Sequence, residues 1–212
     1  MPEAMSAGPS DDNPQRSRSL PWAVLALVVV AWFGLWYLTP NMLSDGFGAM
    51  FSDDRDTAVT IESVTAFVLV LALAMLHRRY SGELFALSWT VCLYAIPIVA
   101  GAILPFHYSR DYSVALYLFA MAASVLWQNF LTFGLLQKYL AERLPTWAVL
   151  VTTAIVFWAG HALYLPASFA PDNLAPSIAI LALGFVLGGF RLWLRTLHLP
   201  LALHLGFYYI VG

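Results

Sequence analysis

Charge is what this sequence has least of. Asp, Glu, Lys and Arg make up 10% of its 212 residues, against about 25% in an ordinary soluble domain. A chain this poor in charge and 61% hydrophobic cannot surround itself with a water-soluble surface. Cysteine is nearly absent as well. Cys92 stands alone, which excludes an intrachain disulfide and any CxxC motif. There is no glycine-rich phosphate loop and no basic stripe, and the net charge is −2. Nothing here therefore points to nucleotide or nucleic acid as a partner. No internal repeat and no terminal lipidation motif is present. In place of charge the sequence has a series of long apolar runs, and these define a multi-spanning membrane protein whose first partner is the lipid bilayer.

Residues 1–19 are polar, with Asp11, Asp12, Arg16 and Arg18, and are expected to form a disordered cytoplasmic N-terminus. The run that follows is as long as a span and lacks a clear small-residue cleavage site, so it reads as a signal anchor. Seven runs approach the roughly 20 residues a crossing needs: 20–38, 58–76, 84–104, 113–137, 146–165, 175–194 and 199–212, the last being short. The fold class is all-α, a polytopic transmembrane helical bundle of about seven spans occupying residues 20–212. Pro40, Pro105, Pro145, Pro166 and Pro200 punctuate the ends of these runs, where proline is expected. Pro97 falls inside the third run and predicts a kink. With the N-terminus in the cytoplasm of a cell-membrane protein and alternate crossing, eight of the ten Lys and Arg fall inside. Arg55 and Arg110 alone fall outside, beside the acidic loop of Asp45, Asp53, Asp54 and Asp56. That is the asymmetry expected of inner loops.

Polar groups within a span are costly and need a reason. No Asp or Glu lies well inside any run, and Glu62 sits near the outer end of the second. The intramembrane polar set is small: Gln128 and Asn129 on the fourth run, His161 on the fifth, His204 on the seventh. Tyr208 shares a helix face with His204. The fourth and fifth runs form a hairpin about the turn at 141–145, which brings Gln128 and His161 to similar depth, and His204 can complete a third corner. Imidazoles so placed suit a proton path, a metal site or catalysis. The competing reading is hydrogen-bonding glue between helices. The aromatic clusters Trp32, Phe33, Trp36, Tyr37 and Phe207, Tyr208, Tyr209 read as lipid-facing or interfacial belts. Gly184, Gly188 and Gly189 read as points of close helix packing.

At these residues the sequence resembles the CPBP family, the CAAX-protease and bacteriocin-processing intramembrane peptidases, whose three motifs EExxxR, FxxxH and HxxxN/D lie on separate spans. The segment from Gln128 to Gln137 corresponds to the first, with a Gly-Leu-Leu-Gln ending similar to the family's. Phe157 to His161 matches FxxxH, and His204 to Tyr208 keeps the histidine of the third. The turn from Arg195 to Pro200 is also similar to the family's short connection. The resemblance covers about residues 113–212. It implies that Gln128, Asn129, His161 and His204 stand at the catalytic motif positions, with Phe133, Phe157 and Tyr208 supporting them. This sequence departs from the pattern where the chemistry is done. Gln128 and Asn129 replace the two glutamates, Phe133 replaces the arginine, and Tyr208 replaces the final Asn or Asp. A carboxamide has no useful basicity near neutral pH, although it can hydrogen-bond a carbonyl or water.

Two histidines without a third ligand make a poor catalytic metal site, so neither a metal nor another cofactor is expected. The resemblance implies a CPBP-type membrane protein, catalytically impaired, that binds a membrane-embedded or lipidated peptide or a partner helix. One alternative is a peptidase of altered chemistry, with His161 or His204 as base and an amide as oxyanion donor. The other is a small transporter or structural membrane subunit, in which the three polar residues point to different neighbours.

Overall fold

The computed structural model describes residues 20–110 and 112–211, and among these every regular element is helical. The polar segment 1–19 expected to be disordered lies outside the described residues. The chain begins with α1 (Trp22–Trp36), then a 3₁₀ turn at Phe47–Met50, α2 (Arg55–Leu76) and the short α3 (Arg78–Leu84). A 3₁₀ segment at Trp89–Tyr94 leads into α4 (Ala95–Ile103), and α5 (Val114–Asn129) follows. The seven residues Phe130–Leu136 form a wider π-helical turn before α6 (Gln137–Ala141), α7 (Thr146–Tyr164), the single turn α8 (Pro166–Phe169), α9 (Leu174–Leu194) and α10 (His198–Val211).

Five stretches are long and apolar enough to cross a bilayer: Arg55–Leu76, Trp89–Phe106, Val114–Ala141, Thr146–Tyr164 and Leu174–Leu194. The first and last of the seven runs form apolar helices of only 15 and 14 residues, about 21–22 Å at 1.5 Å per residue. Seven full spans are therefore not what helix length alone supports. Much of the outward surface of the long helices is apolar, for example Val68, Leu71, Ile98, Val99 and Ile178, all more than half exposed. Such a surface fits a hydrocarbon surround, where helices satisfy their own backbone groups. The chain is an integral membrane protein by its apolar helices.

Local chemistry sets the helix ends. Asp54 caps α2, its carboxylate accepting from the Thr57 N–H at 2.9 Å and the Thr57 hydroxyl at 2.6 Å. These bonds hold its pKa below the ordinary 3.8. Ser113 caps α5 by accepting from the Leu116 N–H at 3.2 Å. Both are N-cap residues of the preferred kind. α9 ends at Arg195, whose φ of 60° turns the chain straight into α10. Pro97 does not kink a continuous helix. It occupies the first turn of α4, after the 3₁₀ segment, where its missing N–H removes no helical bond.

Three cross-chain bonds define one end of the bundle. Arg143 donates to the Leu20 carbonyl at 3.1 Å, the Leu197 N–H donates to the Leu84 carbonyl at 2.9 Å, and the Tyr80 hydroxyl donates to the Gly134 carbonyl at 2.8 Å. Arg78, Arg79, Lys138, Arg143, Arg191 and Arg195 belong to this end. At the other end Asn41 meets Tyr112, and Glu62 holds the 37–54 connection. That end carries Asp45, Asp53, Asp54 and Asp56 with Arg55 and Arg110. The helices thus separate a cationic end from an acidic one.

Within the bundle α7 and α9 approach at glycine. A Cβ on Gly184 would stand 3.1 Å from the Ala154 Cα, and one on Gly188 would stand 3.1 Å from a Leu150 methyl. Gly189 faces open space and does not serve the packing expected of it. The aromatic clusters are also placed differently from a lipid belt. Trp32 and Trp36 are 3% and 0% exposed, stacked on each other at 4.5 Å, and Tyr209 is buried. Of these residues Phe207 is the one more than half exposed. The two tryptophans bury large apolar area between α1 and α7, which outweighs the amphipathic preference of an indole for the interface.

Candidate functional site

Gln128, His161, His204 and Tyr208 line one cavity of about 740 Å³. α5 supplies Ser124 and Gln128, α7 supplies His161, and α10 supplies His204 and Tyr208. Its walls are apolar, with Met121, Ile180, Leu183 and Phe207, and its mouth at the acidic end carries Asn41, Arg55, Arg110 and Tyr112. No described residue lining it is Asp or Glu. Among the described residues no three His, Cys, Asp or Glu side chains gather as metal ligands.

Asn129 does not face this cavity. Adjacent residues on a helix point about 100° apart, so the two amides diverge. Asn129 is 0% exposed; its Nδ2 donates to the Val125 carbonyl at 2.8 Å and to His204 Nδ1 at 2.9 Å. Phe133 and Phe157 are fully buried and pack ring to ring at 5.3 Å. Phe157 is the floor on which both histidines rest, 4.6 Å from His161 and 6.3 Å from His204 between ring centroids. His161 also contacts Trp36 at 5.4 Å and Phe169 at 5.3 Å, and Tyr208 stacks on His204 at 5.3 Å.

The hydrogen bonds assign the tautomers. His161 Nδ1 lies 2.9 Å from the Phe157 carbonyl, which can only accept, so a neutral His161 carries its proton on Nδ1 and a lone pair on Nε2. His204 Nδ1 faces the Asn129 amide, whose Nδ2 must donate, so a neutral His204 carries its proton on Nε2. The two rings therefore offer opposite functions: one lone pair and one N–H. Gln128 donates through Nε2 to Ser124 Oγ at 3.0 Å, while its Oε1 is buried without a partner. A buried carbonyl oxygen with no donor is costly, and the group beside the Gln128 amide is the Tyr208 phenol.

A strap over the mouth completes the site. Glu62, 4% exposed, accepts from the backbone N–H of Asn41 at 2.8 Å and of Gly48 at 3.0 Å. Asn41 adopts a φ of 55° and donates to the Tyr112 hydroxyl at 2.8 Å, and Tyr108 in turn donates to the Tyr112 carbonyl at 2.7 Å. Burial, with the neighbouring Tyr112, pushes the Tyr108 phenol up to about 12, and burial also raises Tyr112. Both phenols stay neutral at ordinary pH. Arg55, lying 5.6 Å over the Tyr112 ring, and Arg110 are thus the charges that line the mouth.

Sequence reasoning did not reach Ser124, although its spacing of four residues before Gln128 on one helix face was a usable signal. It did not reach the Glu62 strap either, since that is built from backbone N–H groups and leaves no side-chain pattern. Comparison of the chain with family models, with curated proteins and with solved structures finds no match.

Proposed function

We propose that this integral membrane protein is a catalytically impaired protein of the CPBP intramembrane-peptidase type that binds a membrane-embedded peptide or partner helix without cutting it. One observation carries the reading. The cavity sets the Gln128 side chain and an N–H on His204 between apolar walls. That suits a peptide carried on an apolar segment, one of whose carbonyls can accept from the imidazole. Hydrolysis asks for more. It needs a general base of suitable strength and usually a group to orient it. His161 is oriented by the Phe157 carbonyl rather than by a carboxylate, and Gln128 stands where the resembled family has its activating glutamate.

The test is reconstitution in liposomes with lipidated and transmembrane peptides, reading cross-linking and cleavage together. The expected result is capture at the cavity and no turnover. Robust cleavage that disappears in His161→Ala would instead make the protein a peptidase of altered chemistry. Gln128→Glu is the cleaner variant for restoring a base. Phe133→Arg would bury a cation in the core beside Phe157, at a cost of several kcal/mol by order of magnitude.

A further inference from the structure

A second pocket, of about 560 Å³, lies at the cationic end, away from the cavity described above. It is lined by Leu76, His77, Arg78, Arg79, Tyr80, Glu83 and Lys138. Three cations here face one carboxylate. Arg78 and Arg79 are exposed and, among the described residues, neither has an ion pair or a side-chain hydrogen bond. Lys138 has only an exposed pairing with Glu142 at 3.4 Å, the kind of contact that holds little energy. Its ammonium lies 5.2 Å from the Tyr80 ring centroid and 4.9 Å from that of Tyr139, and these rings fix its place at the pocket rim. Tyr80 is held in turn, accepting from Arg191 at 2.9 Å and donating to the Gly134 carbonyl at 2.8 Å. His77 is tied to Tyr139 at 2.7 Å. The floor and one side are therefore built, while the charges of Arg78 and Arg79 are uncommitted.

Apolar surface adjoins this charge. Met75 and Leu76, the last turn of α2 immediately before His77, are 69% and 78% exposed. A ligand that satisfies both halves is an amphiphile with an anionic head and an acyl chain running back along α2. Basic pockets between membrane helices hold phosphate head groups in this way, and arginine is suited to them by its fork of donors. We propose that this pocket is a binding site for the phosphate head group of an anionic phospholipid, with Arg78, Arg79 and Lys138 contacting the phosphate and Leu76 the start of the chains.

The test reconstitutes the full chain in phosphatidylcholine vesicles containing phosphatidylglycerol, extracts it in mild detergent, and quantifies the retained lipids by mass spectrometry. Retained phosphatidylglycerol should exceed its share of the vesicle. The excess should fall roughly fivefold for each cation removed, from about 1 kcal/mol per Lys or Arg, in Arg79→Gln and then in Arg78→Gln/Arg79→Gln. Arg195→Gln removes a charge from the same end outside the pocket and should leave the excess unchanged. Because Arg78 and Arg79 are exposed, their variants should melt like the parent. Lys138→Gln gives an independent reading if one of them does not fold. No excess, or an excess indifferent to all three substitutions, overturns the proposal. Displacement of the lipid by millimolar inorganic phosphate would also overturn it, by assigning the pocket to a soluble anion.

Discussion

The contrast between Gln128 and Asn129 shows how much one residue's position on a helix decides. They are neighbours in sequence, yet one lines the cavity and the other fixes His204 from behind. Gln128→Met keeps the shape and removes the orphan carbonyl. It also removes the bond to Ser124, so it should cost about 1 kcal/mol while weakening peptide capture, and unchanged cross-linking in that variant would remove the basis of the proposed function. Asn129→Leu leaves His204 Nδ1 without its donor and should cost about 1 kcal/mol in a denaturant titration in detergent. Asp54 gives a pH signature at the same scale. Its two bonds from Thr57 hold the folded pKa below 3.8, so its contribution to α2 is present above that value and is lost as pH falls through the depressed folded value. Asp54→Asn, which keeps a cap, should flatten that part of the acid dependence of Tm below about pH 4.

At the scale of elements, glycine decides which helices touch. Gly184 packs on the α7 backbone and Gly189 on nothing. Gly184→Val should force α7 and α9 apart and cost about 1–3 kcal/mol. Gly189→Ala should be neutral or stabilising by up to about 1 kcal/mol, because alanine favours a helix where no neighbour objects. Thermal melts of the two variants separate these outcomes. This pair also marks what the sequence could and could not convey. The apolar runs of α2, α5, α7 and α9 were legible because a bilayer requires long stretches without charge. The similar depth of Gln128 and His161 was legible from their distance to the turn between them, while His204 was legible only as a polar residue on a third apolar run. Which glycine of three meets a neighbour depends on rotation about the helix axis, and in lipid neither face of a helix is marked by polarity. The same blindness made Trp32 and Trp36 resemble a belt when they are core.

For the molecule as a whole, the separation of Arg78, Arg79, Lys138, Arg143, Arg191 and Arg195 from the acidic 45–56 region is the strongest constraint on threading. Single cysteines in a Cys92→Ala background should react with a membrane-impermeant maleimide from opposite faces, Ser52→Cys from outside intact cells and Arg195→Cys only after permeabilisation. One site lies in a loop and the other at a helix end, outside the apolar stretches. Labelling of both from the same face would mean that one of the five apolar stretches between them turns back without crossing.

The strap held by Glu62 bears on how this protein can change over generations. Because the carboxylate reads the backbone N–H of Asn41 and Gly48 rather than their side chains, most of the sequence between them is free to drift without loosening the mouth. The exceptions are Gly46, where a side chain would press on the Glu62 carboxylate itself, and Gly48, where it would collide with the Ala58 carbonyl of α2. Descendants with unrelated loops should therefore share three letters, a glutamate within the first turns of α2 and glycines sixteen and fourteen residues before it.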